Sequence, residues 1–117
     1  MAKVTGIGGV FYKVADPAAT RAWYAEHLGI EASEYGATLS AEGMAVWNPF
    51  SPATDYFGPG DQPFMVNLKV DDLDALMTTM KAKGVELVGE QLDESYGKFA
   101  WIRDCDGVKV ELWEPKG

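Results

Sequence analysis

The sequence predicts an α+β fold built from two similar modules, each of which runs strand, helix, strand, strand. Two segments with apolar residues at helical spacing each follow a segment of alternating, strand-like residues. Residues 44–49 also match residues 110–115 at an offset of 66. At an offset of 56, five residues recur identically: Val10, Lys13, Val14, Asp16 and Ala19 as Val66, Lys69, Val70, Asp72 and Ala75. We infer an internal duplication of about 55 residues.

The first module covers about residues 6–50 and begins with a strand over residues 8–14. A helix follows, for which Asp16 is a good N-cap and Pro17 suits the first helical position. Gly29 is placed to end this helix. The apolar stripe of the helix consists of Ala19, Ala22 and Trp23.

Two short strands and a linker complete the first module. A β-hairpin is predicted over residues 37–41 and 44–48, because Glu42 and Gly43 between them mark a turn. Residues 49–63 hold four of the six prolines, a composition that suits a connecting loop. We therefore predict a linker over about residues 51–63.

The second module covers about residues 64–115 and repeats this order. A strand over residues 64–70 precedes a helix with Asp71 or Asp72 as its N-cap and Gly84 at its end. The apolar positions of this helix follow the i, i+3, i+4, i+7 pattern and are Leu73, Leu76, Met77 and Met80. The remaining strands are predicted over residues 85–88, 99–103 and 108–114.

Composition and charge indicate a globular domain and argue against nucleic-acid-binding and membrane-spanning proteins. The chain has 117 residues and 47% hydrophobic residues, which suits one globular domain. Its 10 Lys and Arg against 18 Asp and Glu give a net charge of −8, which opposes binding to nucleic acid. No apolar run is long enough to span a membrane. The single cysteine, Cys105, fits a reducing compartment, so we expect a cytoplasmic protein.

Four segments carry a resemblance to a known family: residues 9–17, 22–29, 66–73 and 104–115. In this order and spacing, essentially the whole chain resembles the vicinal oxygen chelate superfamily. That superfamily includes glyoxalase I, extradiol dioxygenases, fosfomycin-resistance proteins and bleomycin-binding proteins. The resemblance implies two tandem βαβββ modules that form a curved mixed sheet around a cleft, as in glyoxalase and bleomycin-resistance proteins. It also implies a homodimer.

In metal-dependent members of that superfamily, four inward-facing positions hold a divalent ion with His and Glu side chains. The resemblance places these positions at Gly9, Ala45, Met65 and Glu111. Glycine and alanine carry no donor, and a thioether is a poor ligand for such ions. We therefore expect no metal site and no cofactor, with a divalent metal held by other ligands as the open alternative. His27, the one histidine, lies in the last turn of the first predicted helix, where the negative end of the helix dipole favours it. We do not expect it to replace a missing metal ligand.

The implied cleft is expected to bind a small organic molecule. Without the metal ligands it holds small and apolar side chains, and strand alternation adds aromatic and polar ones to the same face. The predicted ligand-binding residues are Phe11, Lys13, Trp47, Met65, Asn67, Lys69, Phe99, Trp101, Glu111 and Trp113. The alternative is that Trp47 and Trp113 only fill the space where the two modules meet.

Glu111 is the candidate catalytic residue. An isolated buried carboxylate is costly, so this one must pair with a cation, be protonated or contact water. Lys13, Lys69 and Lys109 lie on the same predicted face. Glu111 therefore recognises a cationic ligand, accepts a proton, or is part of an internal lysine pair that remained when the metal was lost.

Three functions are compatible with these features, and the sequence leaves open whether the protein is an enzyme. The first is a metal-free protein that binds an aromatic or cationic molecule, similar to the drug-sequestering branch of the family. The second is a glyoxalase, lyase or dioxygenase that holds a divalent metal through ligands not yet identified. The third is a metal-free enzyme with Glu111 as general base and Lys13 or Lys69 stabilising an enolate. Metal binding separates the first from the second, and turnover separates the first from the third.

Overall fold

The structure, a computed structural model, describes residues 2–39, 45–58 and 61–116 of the chain. They form a mixed seven-stranded sheet and two helices, which confirms the predicted α+β class. The strands are β1 (Val4–Lys13), β2 (Ala37–Thr38), β3 (Val46–Phe50), β4 (Phe64–Val70), β5 (Leu92–Glu94), β6 (Gly97–Arg103) and β7 (Lys109–Pro115), and the helices are α1 (Pro17–Leu28) and α2 (Leu73–Ala82). Within the described ranges, neither helix has the length and apolar character needed to cross a membrane.

The chain separates into two compact units. The N-terminal unit is Gly9–Met65, and the C-terminal unit is Met1–Gly8 together with Val66–Gly117. The hydrogen-bonded order of the strands is β2-β3-β1-β4-β7-β6-β5. β1 begins in the C-terminal unit and ends in the N-terminal unit, so one strand contributes to both.

In the N-terminal unit, β3 lies between β1 and β2. It pairs in parallel with β1, starting with Gly9 opposite Val46, and antiparallel with β2. The antiparallel pair fits the predicted hairpin, whose turn at Glu42 and Gly43 lies outside the described residues.

α1 begins and ends where the sequence predicts. The Asp16 side chain caps the first turn, and Gly29 ends the helix in a left-handed conformation with φ of 70°. The apolar stripe of this helix does not face the strands, because its members are exposed: Ala19, Ala22 and Trp23. Instead the ring of Tyr24 packs against Trp47 of β3, with 4.5 Å between the ring centroids. An aromatic contact, rather than the alanine stripe, therefore fixes the rotation of α1.

In the C-terminal unit, β7 lies between β4 and β6, and β5 forms the edge. β7 runs parallel to β4 and antiparallel to β6. α2 packs on one face of these strands. Its predicted apolar stripe is confirmed, because all four members lie in or against the core that also contains Ala100 and Leu112.

Two carboxylates satisfy the N-terminus of α2. Asp72 Oδ1 accepts a hydrogen bond from Ala75 N at 3.1 Å, and Glu114 Oε1 accepts one from Leu73 N at 2.8 Å. Both bind N–H groups that have no partner within the helix, and negative charge there complements the helix dipole. Glu114 therefore joins β7 to the start of α2.

Three segments show the main differences from the prediction. β1 starts four residues earlier, at Val4. Residues 85–88 form no strand, since Leu87 makes only an isolated bridge to Ile102. Strand β5 is not predicted from the sequence, because all three of its residues are exposed and show no apolar alternation. The second module thus has the order βαβββ, and the described residues of the first show βαββ.

Candidate functional site

Six of the predicted ligand-binding residues share one strand face of the C-terminal unit, which we call the Glu111 face. Across β4, β7 and β6, the strand register forms two rows: Asn67, Glu111 and Trp101, then Lys69, Trp113 and Phe99. Ala100 and Leu112 alternate with these residues along the strands and pack in the α2 core on the opposite face. The six residues thus share the strand face that alternation predicts for them.

Glu111 is buried, with 3% of its surface exposed, and two N–H groups bind its carboxylate. Asn67 Nδ2 donates to Oε1 at 2.5 Å, and Trp101 Nε1 donates to Oε2 at 2.9 Å. N–H donors stabilise the ionised carboxylate, whereas burial favours the neutral form. The sequence does not reveal this row, because it depends on the register between β4 and β7, which lie far apart in the chain.

Two glycines make room for the side chains of this face. A Cβ at Gly8 of β1 would lie 2.0 Å from Asn67 Oδ1 and 3.0 Å from Trp113 Cε3. A Cβ at Gly97 of β6 would lie 2.5 Å from Trp113 Nε1. Since real Cβ atoms do not approach other atoms so closely, Asn67 and Trp113 hold these positions only because neither neighbour has a side chain.

Aromatic rings continue the Glu111 face towards β6. The rings of Phe99 and Trp113 are parallel within 3°, with centroids 6.1 Å apart. Trp113 is buried, whereas Phe99 and Trp101 are half-buried and form the accessible edge. Within the described ranges, Asn67 Oδ1 and Trp113 Nε1 are buried without a hydrogen-bond partner. Because buried polar atoms nearly always have one, a water or a bound molecule is expected here.

Three cationic side chains lie on the same strand face as the carboxylate. Lys109 is buried, and its Nζ lies 6.0 Å from the centroid of the Trp101 ring. Arg103 lies opposite Lys109 and donates from Nε to Glu86 at 3.0 Å. In the part of the chain that the structure describes, Lys69 makes no ion pair. Aromatic rings with a few charged groups are the usual composition of a small-molecule site.

Three other predicted ligand-binding residues, Phe11, Lys13 and Met65, lie in the N-terminal unit. Phe11 and Met65 are buried, and the ring of Phe11 lies 5.5 Å from that of Phe50. Lys13 Nζ lies 5.9 Å from the ring centroid of Phe57. Phe57 is almost fully buried although it belongs to the predicted linker. The Pro- and Gly-rich composition around Phe57 predicts a loop and gives no sign that this side chain is buried.

Trp47 is a correction to the predicted site. The prediction places it on the strand face of Phe11, but the register pairs it with Val10 on the opposite face. Its Nε1 donates to Tyr12 Oη at 3.2 Å, and Tyr12 donates to Tyr24 Oη, also at 3.2 Å. Burial and the hydrogen bond to Tyr24 raise the pKa of Tyr12. Trp47 therefore belongs to the packing of α1 on its strands.

The strand registers give a different counterpart of Glu111 from the one that the sequence repeat predicts. Phe11 and Asn67 correspond at the offset of 56. Phe11 lies opposite Asn48, and Asn67 lies opposite Glu111. By register, Asn48 is therefore the counterpart of Glu111 in the N-terminal unit, whereas Ala45 precedes the first residue of β3.

His27 and Cys105 contribute to neither arrangement. His27 is exposed in the last turn of α1. Cys105 is exposed in a turn where Asp104 Oδ1 accepts hydrogen bonds from Asp106 N and Val108 N. The carboxylates on either side of this cysteine are thus explained by turn geometry.

Both the sequence and the fold match known proteins. A sequence profile of the Glyoxalase/Bleomycin resistance protein/Dioxygenase superfamily matches residues 6–112. Methylmalonyl-CoA epimerase from Mycobacterium tuberculosis is 29% identical, with a TM-score of 0.69 over 97% of this chain and 90% of that one. No curated protein matches the chain.

Two further solved structures share the fold. A methylmalonyl-CoA epimerase in complex with methylmalonyl-CoA and NH4+ is 21% identical, with a TM-score of 0.72 over 98% of this chain and 97% of that one. A variant of the Streptomyces coelicolor methylmalonyl-CoA epimerase in complex with 2-nitronate-propionyl-CoA is 20% identical, with a TM-score of 0.72 over 98% of this chain and 100% of that one. At these identities the likeness extends to the fold alone.

Proposed function

Because this chain belongs to the glyoxalase/bleomycin resistance protein/dioxygenase superfamily, we propose that it binds a small organic molecule on the Glu111 face without a divalent ion. The observation that carries the proposal is the row in which Asn67 and Trp101 hold the carboxylate of Glu111. This row lies beside an aromatic pair, on the strand face opposite α2. Phe99 and Trp101 offer the accessible edge at which a molecule makes contact.

The donor chemistry of the family's metal positions supports binding without a metal. Glu111 supplies the one carboxylate, and N–H donors bind both of its oxygens. Gly9 has no donor, and a Cβ there would lie 2.4 Å from the carbonyl oxygen of Val46. Ala45 has no donor either, and Asn48, which the register gives as the counterpart of Glu111 instead, supplies one neutral amide oxygen. The thioether of Met65 is too soft for the ions that prefer oxygen and imidazole ligands. This set of residues does not fit a divalent ion.

The test combines metal analysis with ligand binding. Protein purified without chelators is analysed by elemental mass spectrometry, and a panel of small aromatic molecules is screened for those that raise its melting temperature. Trp101→Phe keeps an aromatic ring but removes the donor to Glu111, so it should weaken binding. Trp23→Phe changes an exposed tryptophan of α1 and should leave binding unchanged. One bound transition metal per chain, or equal effects of the two substitutions, would contradict the proposal.

A second candidate function is metal-free proton transfer, favoured by the 29% identity to an epimerase together with the buried Glu111. Glu111 would take a proton from the carbon next to a carbonyl, and Lys69 would stabilise the enolate oxygen until the proton returns. Lys13, the other cation considered for this role, lies in the N-terminal unit. Deuterium entry at that carbon of methylmalonyl-CoA in D2O, absent with Glu111→Gln, tests this candidate.

We also expect a homodimer in the cytoplasm, as the family resemblance and the single cysteine suggest. Sedimentation velocity measures the assembly directly. A mass of one chain at micromolar concentration would contradict the dimer.

A further inference from the structure

We infer that the C-terminal unit carries a second ligand site, a groove beside α2 that takes a free aliphatic α-amino acid. This groove, which we call the α2 groove, is lined by residues of α2, of the segment 87–91 and of β6, and its volume is about 270 Å³. That size suits a molecule smaller than a drug-sized ligand. Because Met77 and Ala100 of the α2 core line it, the groove lies on the side of the strands opposite the Glu111 face. The inference therefore goes beyond the proposed function.

The path of the chain after α2 produces this groove. Gly84 has a left-handed conformation with φ of 80°, and Val88 N then donates to Trp101 O of β6 at 2.9 Å. Three residues later the chain returns to the helix, where Gln91 Nε2 donates to Asp74 Oδ1 at 2.6 Å. The segment between these two bonds therefore crosses from β6 to α2 and forms one wall of the groove.

The floor of the α2 groove is apolar. Met77 is 5% exposed and Ala100 is 1% exposed, and Leu87 packs against the same core. A Cβ at Gly89 would meet no atom within 4 Å, so the backbone of the wall borders open space there. An aliphatic group in this space would gain contacts with apolar side chains, which favours its transfer from water.

Two charges of opposite sign line the same groove. Lys81 of α2 and Glu90 of the segment are both exposed. Among the residues that the structure describes, neither forms an ion pair. A free α-amino acid carries a carboxylate for Lys81, an ammonium for Glu90 and an aliphatic group for the floor. The net charge of −8 repels a molecule that has only the carboxylate, whereas it does not oppose a zwitterion.

The first experiment locates the binding by NMR of isotope-labelled methionine methyl groups, because Met77 lines the α2 groove and Met65 lies in the N-terminal unit. L-Leucine should shift the Met77 signal with a Kd of about 1 mM or below and leave Met65 and the Trp113 indole N–H unchanged. Glycine should bind at least about tenfold more weakly, since each buried methylene strengthens binding about fourfold.

Three results of this experiment would overturn the inference. The first is the absence of a Met77 shift up to about 10 mM leucine, and the second is equal affinity for glycine and leucine. The third is a leucine shift confined to Trp113, which would instead support binding on the Glu111 face. The second site and the proposed function therefore fail independently of each other.

The second experiment tests each charge against the part of the ligand that it should contact. Isocaproate lacks the ammonium of leucine, and isoamylamine lacks its carboxylate. Lys81→Gln should weaken the binding of leucine and isocaproate about two- to fivefold, as expected for an exposed ion pair, and leave isoamylamine unchanged. Glu90→Gln should weaken leucine and isoamylamine to the same extent and leave isocaproate unchanged.

Two exposed residues outside the groove provide matched controls. Lys83→Gln and Glu94→Gln remove the same charges elsewhere in the C-terminal unit and should leave all three affinities unchanged. Equal losses in the controls, or a loss for all three molecules with both groove substitutions, would overturn the assigned charge contacts. Isocaproate or isoamylamine binding to the native protein as tightly as leucine would overturn the choice of an amino acid.

Discussion

Replacing Gly8 by alanine should destabilise the protein far more than the same change two residues earlier. A Cβ at Gly8 would lie 2.0 Å from Asn67 Oδ1 and 3.0 Å from Trp113 Cε3, whereas a Cβ at Gly6 meets nothing within 4 Å. Asn67 has no room to yield, because it is 2% exposed and bound to Glu111. The two substitutions add the same methyl group to the same strand and differ only in what it touches.

The expected cost follows from the two interactions that the new methyl group disturbs. Moving the amide away from a charged acceptor costs about 1.5–3 kcal/mol. Overpacking against the indole adds about 1–3 kcal/mol. Gly8→Ala should therefore lower the free energy of unfolding by about 3 kcal/mol or more, and Gly6→Ala should change it by no more than about 0.5 kcal/mol. In a chain of this size, 3 kcal/mol corresponds to a fall in Tm of roughly 12 °C.

Urea unfolding followed by tryptophan fluorescence measures this difference. Similar slopes of free energy against urea in the two variants show that both unfold from equally compact states. If Gly8→Ala and Gly6→Ala unfold with free energies within about 1 kcal/mol of each other, the reasoning about the Glu111 face is refuted, because Asn67 would then have space that the structure denies it.

Three further changes test other parts of the structure. Glu114→Ala removes the acceptor of Leu73 N and should lower stability by about 1 kcal/mol in urea unfolding, and an unchanged midpoint would contradict the cap. The hydrogen bond from Lys98 lowers the pKa of Asp74, so the stability that Asp74 contributes is present above its unfolded pKa and is lost as the pH falls through its lowered folded pKa. Asp74→Asn should therefore lower Tm slightly at pH 7 and not at pH 2, and an equal loss at both would contradict the ion pair. Prolonged dialysis against EDTA should leave Tm unchanged, since no divalent ion is expected in the fold.

The sequence predicts α2 and its buried face correctly because large apolar side chains must leave water. Leu73 and Met77 have no alternative to the core, so their spacing determines the orientation of the helix. In α1 the stripe contains Ala19 and Ala22, whose small side chains gain little from burial. The rotation of α1 depends on Tyr24, which contacts Trp47 of β3. Because the two residues are distant in sequence, their contact leaves no pattern within the helix sequence.

The need to bury large apolar side chains also explains for which site residues the strand face is predicted from the sequence. Alternation along β7 places Glu111 and Trp113 on one face because Leu112 between them must enter the core. β3 gives no such signal, since apolar residues occupy both of its faces. The register therefore puts Trp47 on the face opposite to the predicted one. The hydrogen bond between Asn67 and Glu111 spans 44 residues of sequence and depends on register, which one sequence does not specify.

The most direct test of the central claim is an NMR titration of the four tryptophan indole N–H signals with an aromatic ligand found by thermal shift, and separately with Mn²⁺. Trp101 and Trp113 lie on the Glu111 face, whereas Trp23 and Trp47 lie in the N-terminal unit. If the Glu111 face binds an organic molecule without a metal, the ligand shifts the Trp101 and Trp113 signals and Mn²⁺ broadens neither. Broadening of these two signals by stoichiometric Mn²⁺, or ligand shifts confined to Trp23 and Trp47, would contradict the claim.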